Sequence, residues 1–270
     1  MDRSGTSPAH GRKRSTRLFA LAGAALLALT VSACGGEAEE QAAVEPAAVS
    51  QEDLTKLPDA TTFGTVEGAP SDPGGESTGR VVHPKKDLVV YKAVNGEPFA
   101  KLPTRQMGSP TWVPVVAEQG EWVQVLLPTR PNGASGWIHA SDADLESAEN
   151  TFAVNVDREN FEIEITENGE SIGTWTIGIG TNEHPTPEGR AYIIASIEET
   201  VNDYSPIVLP LSYHSDSHET FGGGPGTVGI HTWPDDSFVG QANSDGCIRV
   251  TQEALDELVK LPLGTIVNIV

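Results

Sequence analysis

The sequence predicts a mainly β protein in which two β-rich units follow a long N-terminal region. Glycine and proline are frequent, with 28 and 19 residues, and only 6% of the residues are aromatic. This composition favours short strands and turns over long helices. Short apolar runs begin near residue 81 and recur to the end of the chain. The chain therefore divides into residues 1–33, 34–80, 81–147 and 151–270.

The first 33 residues have the features of a targeting segment. A basic stretch precedes an apolar run from Leu18 to Val31 that is short for a membrane span. The run ends in Val31-Ser-Ala-Cys34, which resembles the lipobox of bacterial lipoproteins. The resemblance implies a lipoprotein signal peptide over 1–33, acylation of Cys34 and anchoring of the protein to the outer face of the cell membrane. The alternative is an ordinary secretory signal that ends beside a cysteine by chance.

Residues 34–80 are predicted to form a disordered acidic tether, because they are rich in Ala, Glu, Pro, Gly and Ser. The formal net charge of the whole chain is −21. This charge argues against nucleic acid as a partner, since polyanions bind basic surfaces. The chain has two cysteines, so acylation of Cys34 would leave Cys247 as its single free thiol. A lone exported thiol is a candidate for catalysis.

The next unit, residues 81–147, contains short β-type runs separated by turn residues such as Asn95-Gly96. Gly120-Glu-Trp-Val-Gln-Val and the later Gly136-Trp-Ile-His-Ala resemble the end of bacterial SH3-like barrels. The resemblance implies a small SH3-like β-barrel over 81–147. The alternative is a generic small barrel that acts as a spacer, and neither interpretation supplies a ligand.

The last unit, residues 151–270, also alternates like a set of strands, with a tight hairpin at Asn168-Gly169. One helix is predicted. It has Thr251 as its N-cap and an apolar stripe that includes Leu255 and Leu258, and it ends before Pro262.

Two segments of this unit carry residues suited to nucleophilic chemistry: Gly229-Ile-His-Thr232 and Ser244-Asp-Gly-Cys-Ile-Arg249. A free thiol has a pKa near 8.5, so only about 3% of it is thiolate at pH 7. A nearby imidazole can accept the thiol proton, which makes His231 a candidate base for Cys247. Gly246 permits a tight turn, so that backbone N–H groups of Asp245 and Gly246 could converge on an oxyanion.

These segments resemble the active-site signature of the YkuD-type L,D-transpeptidases. Three further stretches resemble that family in the same order: Gly178-Ile-Gly-Thr181, Thr186-Pro-Glu-Gly189 and Gly264-Thr-Ile-Val-Asn-Ile. The resemblance implies a β-sandwich-like catalytic domain over 151–270. It also implies that Cys247 is the nucleophile, that His231 is the general base and that Thr232 orients the imidazole.

Ser244, Gly246 and Arg249 also match the family motif. Ser244 and Arg249 are candidate substrate-binding residues, although Arg249 could instead brace the loop. Asp245 departs from the family, which usually has a second histidine there. Because its charge would raise the pKa of a nearby thiol, we expect its carboxylate to point away from the sulfur, towards Arg249 or turn N–H groups.

A glycine-rich stretch before the motif resembles a lid, in which Tyr213 and His214 are candidate substrate contacts. Trp233 either packs internally or touches substrate. A metal-site alternative would combine His214 and His218 with the catalytic pair, but the glycine-rich sequence favours a lid, so no metal is predicted.

The resemblance implies an acyltransferase that acts on peptidoglycan stem peptides in the cell wall and forms 3→3 cross-links through a Cys247 thioester, without a cofactor. Two alternatives stay open. One is an L,D-carboxypeptidase that uses water as acceptor, and the other is a non-catalytic wall-binding lipoprotein.

Overall fold

A computed structural model describes residues 46, 49–72, 77–139, 145–201, 204–221 and 223–270. The predicted signal peptide and the lipidation of Cys34 lie outside these residues. The predicted mainly β fold is confirmed, because most regular structure consists of short strands. Within the described part of the chain, neither α-helix has the length and apolar character that a membrane span requires.

Among the described residues, the N-terminal part has one short helix and nine strands. They are α1 (Gln51–Lys56), β1 (Arg80–Pro84), β2 (Leu88–Tyr91), β3 (Pro98–Leu102), β4 (Arg105–Gln106), β5 (Ser109–Pro110), β6 (Val113–Gln119), β7 (Trp122–Leu126), β8 (Ser135–His139) and β9 (Leu145–Glu149). Seven of the strands form one sheet in the order β3-β2-β8-β7-β6-β1-β9, and β4 pairs with β5.

The β-barrel predicted over 81–147 is not closed in the described residues, because β3 and β9 are the two edges of an open sheet. The edge at β3 is covered by the chain that precedes the sheet. The N–H of Ala60 donates to the carbonyl of Lys101, and the N–H of Lys101 donates to the carbonyl of Pro58. Pairing with residues 58–60 thus satisfies backbone groups of β3 that would bond to another strand in a closed barrel. An SH3-like relationship stays a prediction.

The predicted disordered tether over 34–80 is wrong for residues 49–72. Leu54, Ala60 and Val66 are buried, and Ala60 and Val66 belong to the same apolar core as the seven-stranded sheet. Helix α1 is capped by Ser50, whose hydroxyl accepts from the N–H of Asp53. The composition indicated disorder here, yet packing against a nearby sheet is enough to bury Ala60 and Val66.

In the C-terminal part, the residues that the structure describes form eleven strands, one α-helix and a 3₁₀ turn at Asp236–Phe238. The elements are β10 (Phe152–Asp157), β11 (Glu162–Glu167), β12 (Glu170–Thr176), β13 (Ile179–Gly180), β14 (Gly189–Tyr192), β15 (Ile197–Glu198), β16 (Ile207–His214), β17 (Thr227–His231), β18 (Ala242–Ser244), β19 (Ile248–Arg249), α2 (Gln252–Leu258) and β20 (Ile266–Ile269). Two sheets, β12-β11-β10-β20-β14 and β15-β16-β17-β19, share one apolar core, and β13 pairs with β18.

Helix α2 confirms the single helix that the sequence predicts for this part. The Thr251 hydroxyl accepts from the N–H of Ala254 at 3.3 Å, and Ala254, Leu255 and Leu258 are buried in the core. Helix α2 follows β19 directly, so its packing holds that strand, and the residues just before it, against the core.

The two β-rich parts are not independent bodies. Tyr192, Ile194 and Ile266 of the C-terminal part belong to the apolar core of the N-terminal sheet. A buried ion pair also crosses between them, with Arg190 and Asp72 2.8 Å apart. The boundary predicted between residues 147 and 151 therefore separates sheets that share a core.

Candidate active site

Parallel pairing of β17 and β19 brings together the segment that contains His231 and the segment that contains Cys247. Ile230 is paired with Ile248, and His231 is paired with Arg249. Cys247 lies one residue before β19, so the register places it beside Gly229, whose backbone N–H interacts with the sulfur. His231 lies two residues beyond Gly229, and residues two apart on a strand face the same side. The predicted nucleophile and base thus belong to one face of neighbouring strands.

His231 is held in one tautomer by its neighbour. Its Nδ1 lies 2.6 Å from the carbonyl oxygen of Thr232, so Nδ1–H donates and Nε2 is left with a lone pair. Thr232 is itself fixed, because its N–H donates to the Ser205 hydroxyl at 3.0 Å and its hydroxyl donates to the Tyr204 carbonyl at 3.1 Å. The contact expected from Thr232 is therefore present, through its backbone carbonyl.

Burial sets the protonation of both groups. It lowers the pKa of His231, which is only 6% exposed, and the Arg249 charge lowers it further, while the Thr232 carbonyl opposes both effects. Burial raises the pKa of Cys247 and the Asp245 charge acts in the same direction, against the Gly229 N–H and Arg249. Both shifts favour the neutral form, so Cys247 rests as a thiol and His231 as a neutral imidazole.

The turn before Cys247 is fixed by two hydroxyl groups. Gly246 has a φ of 112°, and its N–H donates to the Ser244 hydroxyl at 3.2 Å, which in turn donates to the Cys247 carbonyl at 2.6 Å. Thr186 donates to the Gly246 carbonyl and accepts from the Gly180 N–H, both at 2.9 Å. Ser244 therefore shapes the turn, which contradicts its prediction as a substrate contact. The prediction that the Gly246 N–H serves an oxyanion is also wrong, because that N–H is used within the turn.

Arg249 contacts the strand that precedes the Cys247 turn. One guanidinium nitrogen donates to the side-chain and backbone oxygens of Asn243, at 3.1 and 3.3 Å. Its guanidinium carbon lies 3.7 Å from the centroid of the Trp233 ring. Trp233 is 37% exposed and also lies near the rings of Tyr204 and His231. Arg249 and Trp233 therefore form a partly solvent-exposed surface beside His231.

The predicted substrate contacts of Tyr213 and His214 are contradicted. The Tyr213 ring is buried, and its hydroxyl accepts from the N–H of Arg190 at 3.1 Å. His214 is fully buried, with Nε2 at 2.7 Å from the Thr62 carbonyl and 3.0 Å from the Thr62 hydroxyl. The two side chains are neighbours on β16 and face opposite sides. Tyr213 packs in the C-terminal core, and His214 contacts Thr62 of the N-terminal part.

Residues 215–221, named here the covering segment, lie over the thiol. A small pocket is lined by Ser215, His218 and Phe221 of this segment and by Asp245 and Cys247. The Asp245 carboxylate lies within 4.8 Å of donor nitrogens of both His184 and His218, which differs from the predicted direction towards Arg249 or the turn. Asp245 is exposed.

Sequence reasoning missed three residues that position this site. Thr186 lies in a stretch that the family resemblance included, and its place before Pro187 and Gly189 could have marked it as a turn residue. Tyr204 and Ser205 carry no signal in the sequence. They reach Thr232 only because β15 and β16 form a hairpin beside β17.

Comparison with known proteins supports the resemblance of the C-terminal part. Residues 151–269 match the YkuD family model, described as the L,D-transpeptidase catalytic domain, which confirms the prediction for this segment. No curated protein matches the sequence.

Several solved structures are similar to the chain. An L,D-transpeptidase (Yku) from Stackebrandtia nassauensis shares 20% identity over 46% of this chain and 57% of its own, with a TM-score of 0.33. An L,D-transpeptidase from Mycobacterium smegmatis shares 14% identity over 55% of this chain and 90% of its own, with a TM-score of 0.37. The catalytic domain of an E. faecium L,D-transpeptidase shares 22% identity over 44% of this chain and 96% of its own, with a TM-score of 0.35.

Proposed function

We propose that this protein is a peptidoglycan L,D-transpeptidase that forms 3→3 cross-links through a thioester on Cys247. The observation that carries the proposal is the pairing of β17 with β19. It supports the proposal because it sets Cys247, a half-buried thiol, on the same strand face as a histidine whose tautomer is fixed by Thr232. The pairing lies inside the segment that matches the L,D-transpeptidase catalytic domain.

In the first half-reaction, His231 Nε2 takes the proton of the Cys247 thiol while the sulfur attacks a stem-peptide carbonyl. The carbonyl belongs to the third residue of the stem, which is linked to a terminal D-alanine. Collapse of the tetrahedral oxyanion breaks the C–N bond, and the imidazolium returns the proton to the leaving amine of D-alanine. A thioester remains on Cys247.

The neutral resting pair suits this sequence of steps. A thiol whose pKa is raised needs a base at the moment of attack, and an imidazole whose pKa is lowered is free to accept a proton at neutral pH. Because the Gly246 N–H is bonded to Ser244, the backbone N–H groups of Asp245 and Cys247 are the donors proposed for the oxyanion.

In the second half-reaction, an amine of a neighbouring stem attacks the thioester and gives its proton to His231. The C–S bond breaks, the new amide is the cross-link, and the sulfur regains a proton from the imidazolium. Trp233, which is partly exposed beside His231, is the residue proposed to contact a stem peptide. Water in place of the amine would give the carboxypeptidase outcome.

We also propose that the mature protein is anchored through acylated Cys34 and acts in the cell wall. Metabolic labelling with an alkyne fatty acid should tag the wild type and leave Cys34→Ala unlabelled. Equal labelling of the two would show that the lipobox resemblance is a coincidence.

The experiment that tests the activity uses the purified protein and a disaccharide that carries a tetrapeptide stem, with products read by mass spectrometry. A cross-linked dimer with loss of D-alanine is the expected product. A trimmed monomer alone would identify a carboxypeptidase, and an unchanged substrate would identify a non-catalytic protein. The Cys247→Ala variant is the matched control, since it removes only the sulfur.

A further inference from the structure

Beside the thiol, three separate segments bring together two imidazoles and a carboxylate. His184 belongs to the loop after β13, His218 to the covering segment and Asp245 to the turn before Cys247. One ligand atom from each side chain lies within 4.8 Å of the other two. The proposed acyl transfer assigns none of these three side chains a role.

The two imidazoles are prepared for a ligand by their surroundings. Nδ1 of His184 lies 3.0 Å from the Ser217 hydroxyl, which orients this ring and leaves its Nε2 available. Nε2 of His218 is buried, and among the described residues it has no hydrogen-bond partner. The two rings stack with their centroids 4.3 Å apart. A buried ring nitrogen without a partner is costly unless something binds it.

The backbone that carries His218 is also held in place. Arg130 donates to the carbonyl of His218 at 3.2 Å and to that of Pro225 at 2.9 Å. The N–H of His218 donates to the Ser215 hydroxyl at 3.2 Å. The imidazole of His218 is therefore presented from a fixed position opposite Asp245.

We propose that His184, His218 and Asp245 bind one divalent transition-metal ion of the zinc type. Two neutral imidazole nitrogens and one carboxylate oxygen are ligands that zinc prefers, and three protein ligands leave a fourth position for water. The carboxylate supplies negative charge to the ion, and the Ser217 hydroxyl supports the His184 ring from behind.

The bound ion would link the covering segment to the turn at residues 244–249, named here the nucleophile turn. His218 and Asp245 line the same small pocket as Cys247, so a bond from each to one ion holds that pocket shut over the sulfur. The ion takes no part in acyl transfer. It restrains access to the thiol, and its release opens the pocket.

Metal binding is measured on the full chain with the Cys247→Ala substitution, so that the thiol cannot act as a ligand. After removal of metals with a chelator, titration with zinc chloride by calorimetry should show one equivalent bound. Each of His184→Gln, His218→Gln and Asp245→Asn should weaken the affinity at least tenfold. His83→Gln, which changes a histidine in the N-terminal sheet, should leave the affinity unchanged, and circular dichroism verifies that every variant is folded.

The restraint on the thiol is measured separately, by alkylation of Cys247 with iodoacetamide. Zinc should slow alkylation at least tenfold in otherwise unchanged protein and have no effect in His218→Gln. Absence of zinc binding in the Cys247→Ala protein would overturn the proposal, as would equal slowing in His218→Gln, since the ion would then bind the sulfur itself. Neither measurement depends on transpeptidation, so a failure of the proposed function leaves this test intact.

Discussion

The nucleophile turn and the covering segment lie on either side of the same thiol but are held in different ways. The turn, residues 244–249, is fixed by groups of the C-terminal part, notably Thr186 and Ser244. The covering segment is fixed from the N-terminal part, by three carbonyl contacts that Arg130 makes with it and with Pro225. The candidate nucleophile and base thus belong to the C-terminal part, while the segment above the thiol is also held by the N-terminal part.

The strand that leads into the covering segment shows the same dependence. Asn132 accepts from the N–H of His214 at 2.9 Å and donates to its carbonyl at 2.8 Å. Thr62 contacts the His214 ring and also lies 2.6 Å from the Thr227 hydroxyl. Residues 49–72 therefore do more than space the catalytic part from its surroundings, because they hold both ends of the loop above the thiol.

The largest expected effect comes from the turn. Cys247→Ala should reduce product formation by roughly 10⁴-fold or more, because no other group supplies the nucleophile. The same change should abolish acylation by a carbapenem, which mass spectrometry of the intact protein detects. The thermal unfolding midpoint should stay close to that of the wild type. A carbapenem adduct that persists in the variant would place the nucleophile elsewhere.

A second test loosens the turn without touching the sulfur. Thr186→Val leaves the Gly246 carbonyl and the Gly180 N–H without their partner, at a cost of about 1–3 kcal/mol. We expect kcat to fall roughly tenfold to hundredfold with little change in KM. Thr186→Ser, which keeps the hydroxyl, should recover most of the rate. If Thr186→Ser were as slow as Thr186→Val, the hydroxyl would not be what positions the turn.

A third test loosens the covering segment. Arg130→Met retains the apolar stem of the side chain but removes the donors to Ser215, His218 and Pro225. Alkylation of Cys247 by iodoacetamide should become roughly threefold to tenfold faster, in line with the loss of about 1 kcal/mol from a hydrogen bond. Arg80→Met, at the outer face of the N-terminal sheet, is the matched control. Equal acceleration in the two variants would contradict the assignment to Arg130.

The smallest expected effect concerns the pH dependence of stability at the junction of the two parts. Burial lowers the pKa of His214, and the Arg130 charge adds to this effect, while the Thr62 carbonyl opposes it. In the unfolded chain the pKa of His214 is about 6.5, so below that pH the unfolded chain binds more protons at this residue than the folded protein does. The free energy of unfolding therefore falls as the pH drops below that value. The slope is at most about 1.4 kcal/mol per pH unit for one histidine.

His214→Gln removes this titration and keeps a group that can donate to Thr62. Urea unfolding of both proteins between pH 7.5 and pH 5 should show a shallower loss of stability in the variant. Other titrating groups, including His231, contribute to both proteins alike. Identical slopes would show that folding does not change the proton binding of His214.

The local sequence was sufficient to predict much of the secondary structure of the C-terminal part. Alternating apolar residues predicted its strands, and Thr251 with the stripe around Leu255 predicted α2. The motif around Cys247 pointed to the segment that the family model matches. The predictions that were wrong concern burial and partners. Ser244, Tyr213 and His214 were expected at substrate, and residues 49–72 were expected to be disordered.

The sequence by itself determined the chemical groups of this protein: one thiol within a glycine turn, one histidine before a threonine, and a mainly β chain to hold them. These follow from residue type and local periodicity, which act over a few neighbours along the chain. The tertiary structure alone decided which groups meet. Parallel pairing sets the register between His231 and Cys247, and the shared core sets the contacts of Thr62, Arg130 and His218, because such contacts join residues far apart in sequence.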